Sequence, residues 1–363
     1  MAELPKVVLM IKDTKFYSKK IGSLAKGCQL CTQGRKSVLF VTGVCSNRCY
    51  FCPISDKKKN RDVVYINEWP TKNIKDIVKE IRLCESYGVG ITGGDPLARI
   101  DRTARFIKIL KRTFGKNFHT HLYTPLVLVN ECNLNKLYSS GLDEIRFHPD
   151  LDDQKLWDRI KLAERFDWKI GVEIPSIPKK YNETKKLIDF IKDKVNFLNI
   201  NELEVADNKS SRLEELGFKT KDRLSYAIKG SEAIALSLLS YCEKNTKLDV
   251  HYCTAKLKDR VQLSKRIRRR AKSIAKPYDI ITEDGTLFRG AVYTTKNLNN
   301  VIYRLKTDFR IPSDLIEKDK DRILVAPWIA EELKEELKNL DLKVALVEEY
   351  PTWDRLEISK NYL

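Results

Sequence analysis

The sequence predicts an α/β protein built on one curved parallel sheet and followed by a smaller second domain. Short β-branched runs alternate with longer amphipathic patterns over residues 36–205, the order expected of parallel strands joined by helices. The 363 residues suffice for one barrel-sized domain and a smaller one. After Pro277 the alternation stops and a hairpin pattern begins. We therefore predict a partial (β/α)6 barrel of the TIM type with a small C-terminal α+β domain.

Six strand–helix units make up the predicted barrel. The predicted strands cover residues 36–43, 89–96, 118–126, 143–150, 168–178 and 196–205. The predicted helices, each with apolar residues at helical spacing, cover residues 69–88, 102–115, 130–141, 152–167, 181–195 and about 231–243. The catalytic residues of such folds lie in the loops at the carboxyl ends of the strands. We expect the functional residues in those loops.

The domain organisation follows from these patterns. We expect residues 1–35 to form an N-terminal extension, 36–255 the barrel, 256–276 a basic helix and 277–363 the α+β domain. In the last of these, an Asp-Gly pair at 284–285 lies between two alternating runs, which is typical of a hairpin. A strand, a helix and a second strand are then predicted over 322–327, 328–340 and 343–351.

The charge of the chain is concentrated in one segment. The formal net charge is +18, and residues 256–276 hold ten Lys or Arg against one Asp. The segment places a predicted buried face at Leu257, Val261, Ser264, Arg268, Ala271 and Ala275. Two interpretations stay open: a solvated surface of the kind found in thermophile proteins, or a contact with a polyanion such as RNA, including tRNA.

Targeting sequences are not evident. No stretch approaches the ~18–20 uncharged apolar residues that cross a membrane. The apolar run near the start is short, and Lys12 follows it without a small-residue cleavage site. We expect a cytoplasmic protein without a membrane partner.

Three cysteines come directly after the first predicted strand. Cys45, Cys49 and Cys52 are spaced four and three apart, and Phe51 precedes the last of them. Thiolates hold iron–sulfur clusters, and a four-iron cluster has four irons to ligate. Three protein thiolates leave one iron open, much as three ligands leave a catalytic zinc open to substrate. The spacing alone is also compatible with zinc.

This loop and a glycine-rich turn together resemble the radical S-adenosylmethionine superfamily. An aromatic residue before the third cysteine is typical of that family, as Phe51 is here. The family's Gly-Gly-Glu-Pro motif is matched at the end of the second strand by Gly93, Gly94 and Asp95, with Asp in place of Glu. The resemblance covers about residues 36–205 and is greatest to archaeal proteins described as similar to pyruvate formate-lyase activating enzyme.

The resemblance implies a set of cofactors and a reaction. A 4Fe-4S cluster would be held by the three cysteines, and S-adenosylmethionine would chelate its open iron. The reduced cluster would then give one electron to the sulfonium and release methionine and a 5′-deoxyadenosyl radical, which abstracts hydrogen from a substrate. The cofactors would supply the radical chemistry, while the protein binds and orients them. A reductant such as flavodoxin or ferredoxin is implied as a partner.

The resemblance also implies contacts to S-adenosylmethionine. Main-chain groups of the glycine-rich turn would contact its amino group, since glycine permits close backbone approach. For His148 and Glu202, at the ends of the fourth and sixth strands, a purely structural role stays open. His119 and His121, two apart on one strand and so on one face, are expected to be structural. The predicted cofactor contacts are Phe51, Gly93, Gly94, Asp95, His148 and Glu202.

A second group of cysteines predicts a further metal site. Cys28 and Cys31 have metal-ligand spacing, and Cys253 follows His251 by two residues. Cys28, Cys31 and Cys253 are together expected to hold zinc or an auxiliary iron–sulfur cluster. An eight-residue strand is about 26 Å long, so Cys31 should lie at the barrel end opposite the first cluster unless the N-terminal segment crosses the barrel mouth.

The sequence therefore predicts an enzyme of unknown substrate. The first expectation is a radical reaction on RNA or tRNA, bound through the basic helix 256–276. A second is the activation or modification of a protein, as in glycyl-radical enzyme activation. A third is a cluster-bearing binding protein without catalysis.

Overall fold

The computed structural model describes residues 10–363, which form two compact units. The first unit contains residues up to 81 and 86–263, and the second contains 82–85 and 264–363. Within the described residues, no helix combines the length and the apolar character that a membrane span requires.

The first unit is organised around an eleven-stranded sheet. Its strands are β1 (Ile11–Asp13), β2 (Lys19–Ile21), β3 (Lys36–Phe40), β4 (Tyr65–Ile66), β5 (Trp69–Pro70), β6 (Gly88–Thr92), β7 (His119–Pro125), β8 (Glu144–His148), β9 (Lys169–Ser176), β10 (Phe197–Glu202) and β11 (Asp249–Cys253). The spatial order is β1-β2-β11-β10-β9-β8-β7-β6-β3-β4-β5. Strands β3 and β6 to β11 pair in parallel, and a short antiparallel hairpin extends each edge.

Helices connect the parallel strands. Those that begin before Ser264 are α1 (Lys26–Thr32), α2 (Ile74–Leu83), α3 (Ile100–Phe114), α4 (Glu131–Ser139), α5 (Tyr181–Ile191), α6 (Ser231–Asn245) and α7 (Ala255–Leu257). The predicted helix over 152–167 is instead a 3₁₀ helix, Gln154–Ala163. Its buried residues Trp157, Ile160 and Ala163 recur every third position, which suits three residues per turn. The predicted α/β barrel fold is confirmed, and β11 adds a seventh parallel strand.

The basic segment is not one continuous α-helix. A π-helical stretch, Lys258–Leu263, separates α7 from α8 (Ser264–Ile274). A π-helix has more residues per turn than an α-helix, so the buried face rotates along the segment. Consequently Ile267 and Arg270 are buried in α8, whereas Arg268, predicted on the buried face, is exposed.

The second unit is a small α+β domain. Its strands are β12 (Ile280–Ile281), β13 (Leu287–Tyr293), β14 (Ile316–Asp319), β15 (Arg322–Val325), β16 (Lys343–Glu349) and β17 (Glu357–Tyr362), in the order β14-β15-β13-β16-β17 with β12 beside β13. Its remaining helices are α9 (Leu298–Thr307), α10 (Pro327–Glu332) and α11 (Lys334–Asn339). Gly285 has φ +87° in the turn between β12 and β13, a conformation that glycine adopts without strain.

The inside of the barrel is filled by α1 and by polar side chains of the strands. Helix α1 contacts β3, β6 and β7, and Asn199 of β10 donates a hydrogen bond to Cys28 of α1 (Nδ2–Sγ 3.2 Å). The sheet therefore curves around this helix. At Gly27 an added Cβ would lie 2.6 Å from Arg146 Nη2 and 2.7 Å from His121 Cε1, so only glycine fits against the barrel wall there.

Gly27→Ala tests this packing. The new methyl group would overlap two buried side chains, and overpacking of this kind costs about 1–3 kcal/mol. We expect the free energy of unfolding, measured by urea denaturation, to fall by that amount. Lys26→Ala, at the exposed neighbouring position, should change it by no more than about 0.5 kcal/mol; equal effects at both positions would contradict the packing.

Candidate active site

The three cysteines of the first cluster lie together in the loop that follows β3. Cys45, Cys49 and Cys52 are each half-buried and free of disulfide bonds, and the Cys52 amide donates to the Cys49 carbonyl (3.2 Å). Burial first, and then the neighbouring Cys45 and Cys52 thiols, raises the pKa of Cys49 to about 11. Three free thiols in one loop are a donor set that fits an iron–sulfur cluster, whose metal charge would stabilise their thiolate forms.

The glycine-rich turn after β6 packs against the start of this loop. The Gly94 amide donates to the Thr42 carbonyl (2.7 Å). A Cβ at Gly94 would lie 2.5 Å from Val44 O and 2.7 Å from Cys45 Cβ, and one at Gly93 would lie 2.4 Å from Thr42 O. Any larger residue would therefore push the turn away from the cysteine loop.

Asp95, which follows the two glycines, has a structural side chain. Its Oδ1 accepts hydrogen bonds from Leu97 N (3.0 Å) and Thr124 Oγ1 (2.8 Å), so it caps a 3₁₀ helix, Pro96–Arg99. Burial raises the pKa of this carboxyl to about 6. The cofactor contact at Asp95 stays a prediction.

A cavity of about 370 Å³ opens beside the cysteine loop. It brings Cys49 and Phe51 together with His148, which ends β8, and with Ile174 of β9. The rings of Phe51 and His148 are 5.8 Å apart. Three of the predicted site residues thus share one cavity, at the carboxyl ends of the parallel strands.

The protonation of His148 is set by its surroundings. Its Nδ1 lies 2.8 Å from the Glu173 carbonyl oxygen, which can only accept, so the proton is on Nδ1. Burial lowers the pKa of His148, and the ring is therefore neutral at pH 7, with Nε2 as an acceptor.

Other polar residues of the cavity were not predicted. Asp150, Asp152 and Lys180 line it together with Tyr50. Asp150 follows His148 by two residues in the same strand-end loop, so its position could have been anticipated. Lys180 precedes α5 and reaches the site only through the fold, where it pairs with Asp152.

Glu202 lies outside the lining of that cavity. Its Oε2 accepts a hydrogen bond from the Ala255 amide (2.9 Å), which ties β10 to the start of α7. The predicted contact of Glu202 with the cofactor stays a prediction.

The second cysteine group faces the barrel interior. Cys28 and Cys31 are buried on α1, and Cys253 is the buried last residue of β11. Burial raises the pKa of Cys253, and the Cys28 and Cys31 thiols raise it further. Within residues 10–363, these three sulfurs do not form a group with all separations under 4.8 Å. A single zinc ion, with bonds of about 2.3 Å, is therefore not preformed, and the second cluster stays a prediction.

The base of the cysteine loop is braced by one carboxylate. Asp62 accepts two hydrogen bonds from Arg102 (2.6 and 3.0 Å), one from Arg99 (3.0 Å) and one from Thr42 (2.9 Å). These donors, led by Arg102, hold the pKa of Asp62 well below its usual range. Arg102 also donates to the Val41 carbonyl (3.0 Å), which fixes the chain just before the cysteines.

Two family models and a sequenced relative resemble this chain. A family model described as the Radical SAM superfamily matches residues 39–174, and one described as a domain of unknown function (DUF8061) matches residues 285–363. A protein of Methanocaldococcus jannaschii, named "Putative glycyl-radical enzyme activating enzyme", is 40% identical over 360 residues. The alignment covers 95% of this chain and 94% of that protein.

Solved structures show weaker similarity. Streptococcus suis SuiB bound to S-adenosylmethionine has a TM-score of 0.42 and 17% identity over 61% of this chain and 50% of that chain. Methylornithine synthase (PylB) has a TM-score of 0.40 and 15% identity over 60% and 70%. Escherichia coli coproporphyrinogen III oxidase (HemN) has a TM-score of 0.38 and 11% identity over 84% and 90%. This chain spans about half the length of the SuiB chain.

The brace at Asp62 makes the loop sensitive to pH. Because the folded pKa is depressed, its contribution to stability is present above about pH 4 and is lost as the pH falls. Asp62→Asn should lower the free energy of unfolding of the cluster-free protein by about 1–2 kcal/mol at pH 7, and the difference should shrink toward pH 3. Urea unfolding across this range measures it. Asp101→Asn, which removes an exposed partner of Lys136, should show almost no effect.

Three findings agree. They are the 40% identity to the archaeal relative, the family model that matches residues 39–174, and the two motifs of the site. Proteins of this family use a 4Fe-4S cluster together with S-adenosylmethionine, which is consistent with three thiols beside a glycine-rich turn. The chain is an enzyme that belongs to the radical S-adenosylmethionine superfamily.

Proposed function

We propose that this enzyme binds S-adenosylmethionine in the cavity beside the cysteine loop and uses it to take hydrogen from a substrate. The observation that carries the proposal is the shared cavity of Cys49, Phe51 and His148. The glycine-rich turn packs against the same loop. Cluster ligands and predicted cofactor contacts are therefore neighbours.

Named residues would hold each group. Cys45, Cys49 and Cys52 would ligate the cluster, and the main chain at Gly93 and Gly94 would receive the amino group of S-adenosylmethionine. When bound, the two groups supply one-electron cleavage of the sulfonium and a nucleoside radical that abstracts hydrogen.

The cavity walls suit a nucleoside. Phe51 and Ile174 offer apolar surface, and neutral His148 offers an acceptor nitrogen. Asp150 and Lys180 supply charge of both signs to orient polar groups. Phe51 is held by the chain that follows β10, since it forms a β-bridge with Ser211.

RNA is our first candidate for the substrate. Helix α8 keeps an exposed basic side at Arg268 and Lys272, and Lys276 follows it. The basic surface is narrower than the sequence predicts, because Lys258 pairs with Glu204 and Arg270 donates to the Pro351 carbonyl.

The state of the cysteines supports a location inside the cell. All nine cysteines are free, which fits a reducing compartment such as the cytoplasm.

A protein substrate is the second candidate. The name of the archaeal relative favours it, since that protein is described as activating a glycyl-radical enzyme. In this case the exposed basic side of α8 would be a solvated surface.

Removal of a cluster ligand tests the reaction. Cys49→Ala should reduce the 5′-deoxyadenosine formed during anaerobic incubation with S-adenosylmethionine and dithionite to the level without protein. Cys132→Ala, at an exposed position on α4, is the matched control and should keep the wild-type yield. Equal yields from both variants, or no product from the reconstituted wild type, would contradict the proposal.

Salt-dependent binding tests the substrate class. Bulk tRNA should shift the protein in native gels at low salt, and affinity should fall steeply with salt because phosphate contacts release counterions. Substitution of Arg268, Lys272 and Lys276 by Ala should weaken binding and reduce the log–log salt slope by about 2. The control exchanges the exposed Lys75, Lys108 and Lys116 for Ala and should change neither. If tRNA does not shift the protein in native gels even at low salt, RNA is excluded as the substrate and a protein substrate is the remaining candidate.

A further inference from the structure

Two histidines and a carboxylate meet at the amino ends of β7 and β8. His119, His121 and Glu144 are all buried, and one ligating atom from each lies within 4.8 Å of the other two. His119 Nε2 is 3.5 Å from Glu144 Oε2. The parallel register creates the group, because His121 and Glu144 are paired residues of neighbouring strands and His119 is on the same face as His121.

Two of the polar atoms of His121 and Glu144 already have hydrogen-bond partners. His121 Nε2 hydrogen-bonds with Tyr123 Oη (3.1 Å), and Glu144 Oε1 accepts from Arg146 Nε (2.6 Å). These bonds leave His121 Nδ1 without a partner, while Glu144 Oε2 faces His119 Nε2 (3.5 Å) and the Gly27 amide (3.4 Å). Metal-ligating histidines and carboxylates are oriented in this way by a second layer of hydrogen bonds.

Polar atoms at this point lack partners. Among residues 10–363, the Nδ1 atoms of His119 and His121 are buried without a hydrogen bond. Buried polar groups are rarely left unsatisfied because the lost hydration is costly. The space is small, since Cβ at Gly27 would lie 2.7 Å from His121 Nδ1 and the Gly27 amide is 3.4 Å from Glu144 Oε2. These short separations exclude a ligand larger than an ion or one water.

We propose that His119, His121 and Glu144 bind one divalent transition-metal ion, of the zinc or iron(II) class. Imidazole and carboxylate ligands suit these ions. The ion would join β7 to β8 directly beneath α1.

The position indicates a structural ion. His119 and Glu144 are the first residues of their strands, whereas the cysteine loop leaves the carboxyl end of β3. In barrels the amino ends of the strands serve stability, and chemistry lies at the carboxyl ends. The proposed ion is thus separate from the proposed radical reaction and does not depend on it.

Metal counting tests the proposal on protein that cannot hold the first cluster. In the Cys45→Ala, Cys49→Ala, Cys52→Ala full chain, supplied with Zn²⁺ and desalted, plasma mass spectrometry should find about one zinc per chain. Adding His121→Ala should reduce zinc to under about one tenth. His251→Ala is the matched control, since His251 is another buried histidine of the barrel wall with an unpaired Nδ1, and it should keep the zinc.

Two further variants separate the alternatives. Cys28→Ala on the same background should retain the zinc; its loss there, with retention in His121→Ala, would assign the metal to the cysteine group and overturn the proposal. Glu144→Gln keeps the side-chain shape, and Co²⁺ should raise the melting temperature of the background protein but not of this variant. No zinc and no Co²⁺-dependent shift in the background protein would overturn the proposal.

Discussion

The barrel is built around one buried cation, the guanidinium of Arg146. It is 2% exposed and pairs with Glu144 (2.5 Å) on its own strand and with Glu173 (2.7 Å) on β9. The rings of Tyr123 and Phe197 lie 5.3 and 5.2 Å from it. An unpaired ion in such a place costs several kcal/mol, so β7 to β10 must hold one register together. Burial alone would raise the pKa of Glu173, but the Arg146 charge lowers it.

The Arg146 network lies toward the amino ends of the parallel strands, and the candidate active site lies at their carboxyl ends. Toward the amino ends, α1 lies on the charged network and leaves little space. Toward the carboxyl ends, the cysteine loop is held by main-chain hydrogen bonds, by close glycine contacts and by the hydrogen bonds of Asp62. Glu173 links the two regions: its carboxylate accepts from Arg146 and Asn201, while its carbonyl fixes the proton of His148. The ion pairs and the cavity are thus connected through this one residue.

Local patterns predicted the strands, most helices and the cysteine loop, because apolar spacing and close sequence neighbours determine them. The placement of α1 inside the barrel was not predictable, since Gly27 and His121 meet only through the sheet's curvature. The sequence analysis did not predict the π-helical turn before α8. It therefore did not predict that Arg270 is buried. The place of Glu144 beside His119 and His121 was not predictable either, because it becomes their neighbour only when β7 and β8 pair in register.

The filled interior limits how any substrate can reach the cavity. With α1 and the Arg146 network occupying the amino ends, entry is restricted to the carboxyl side, where Tyr50 and Asp150 line the opening volume of about 370 Å³. S-adenosylmethionine would take much of that volume. A macromolecule could then present only a single nucleotide or a short loop to the site, with its remaining mass outside. Affinity for such a substrate must come from surfaces away from the cavity, so binding and chemistry should be separable by substitution.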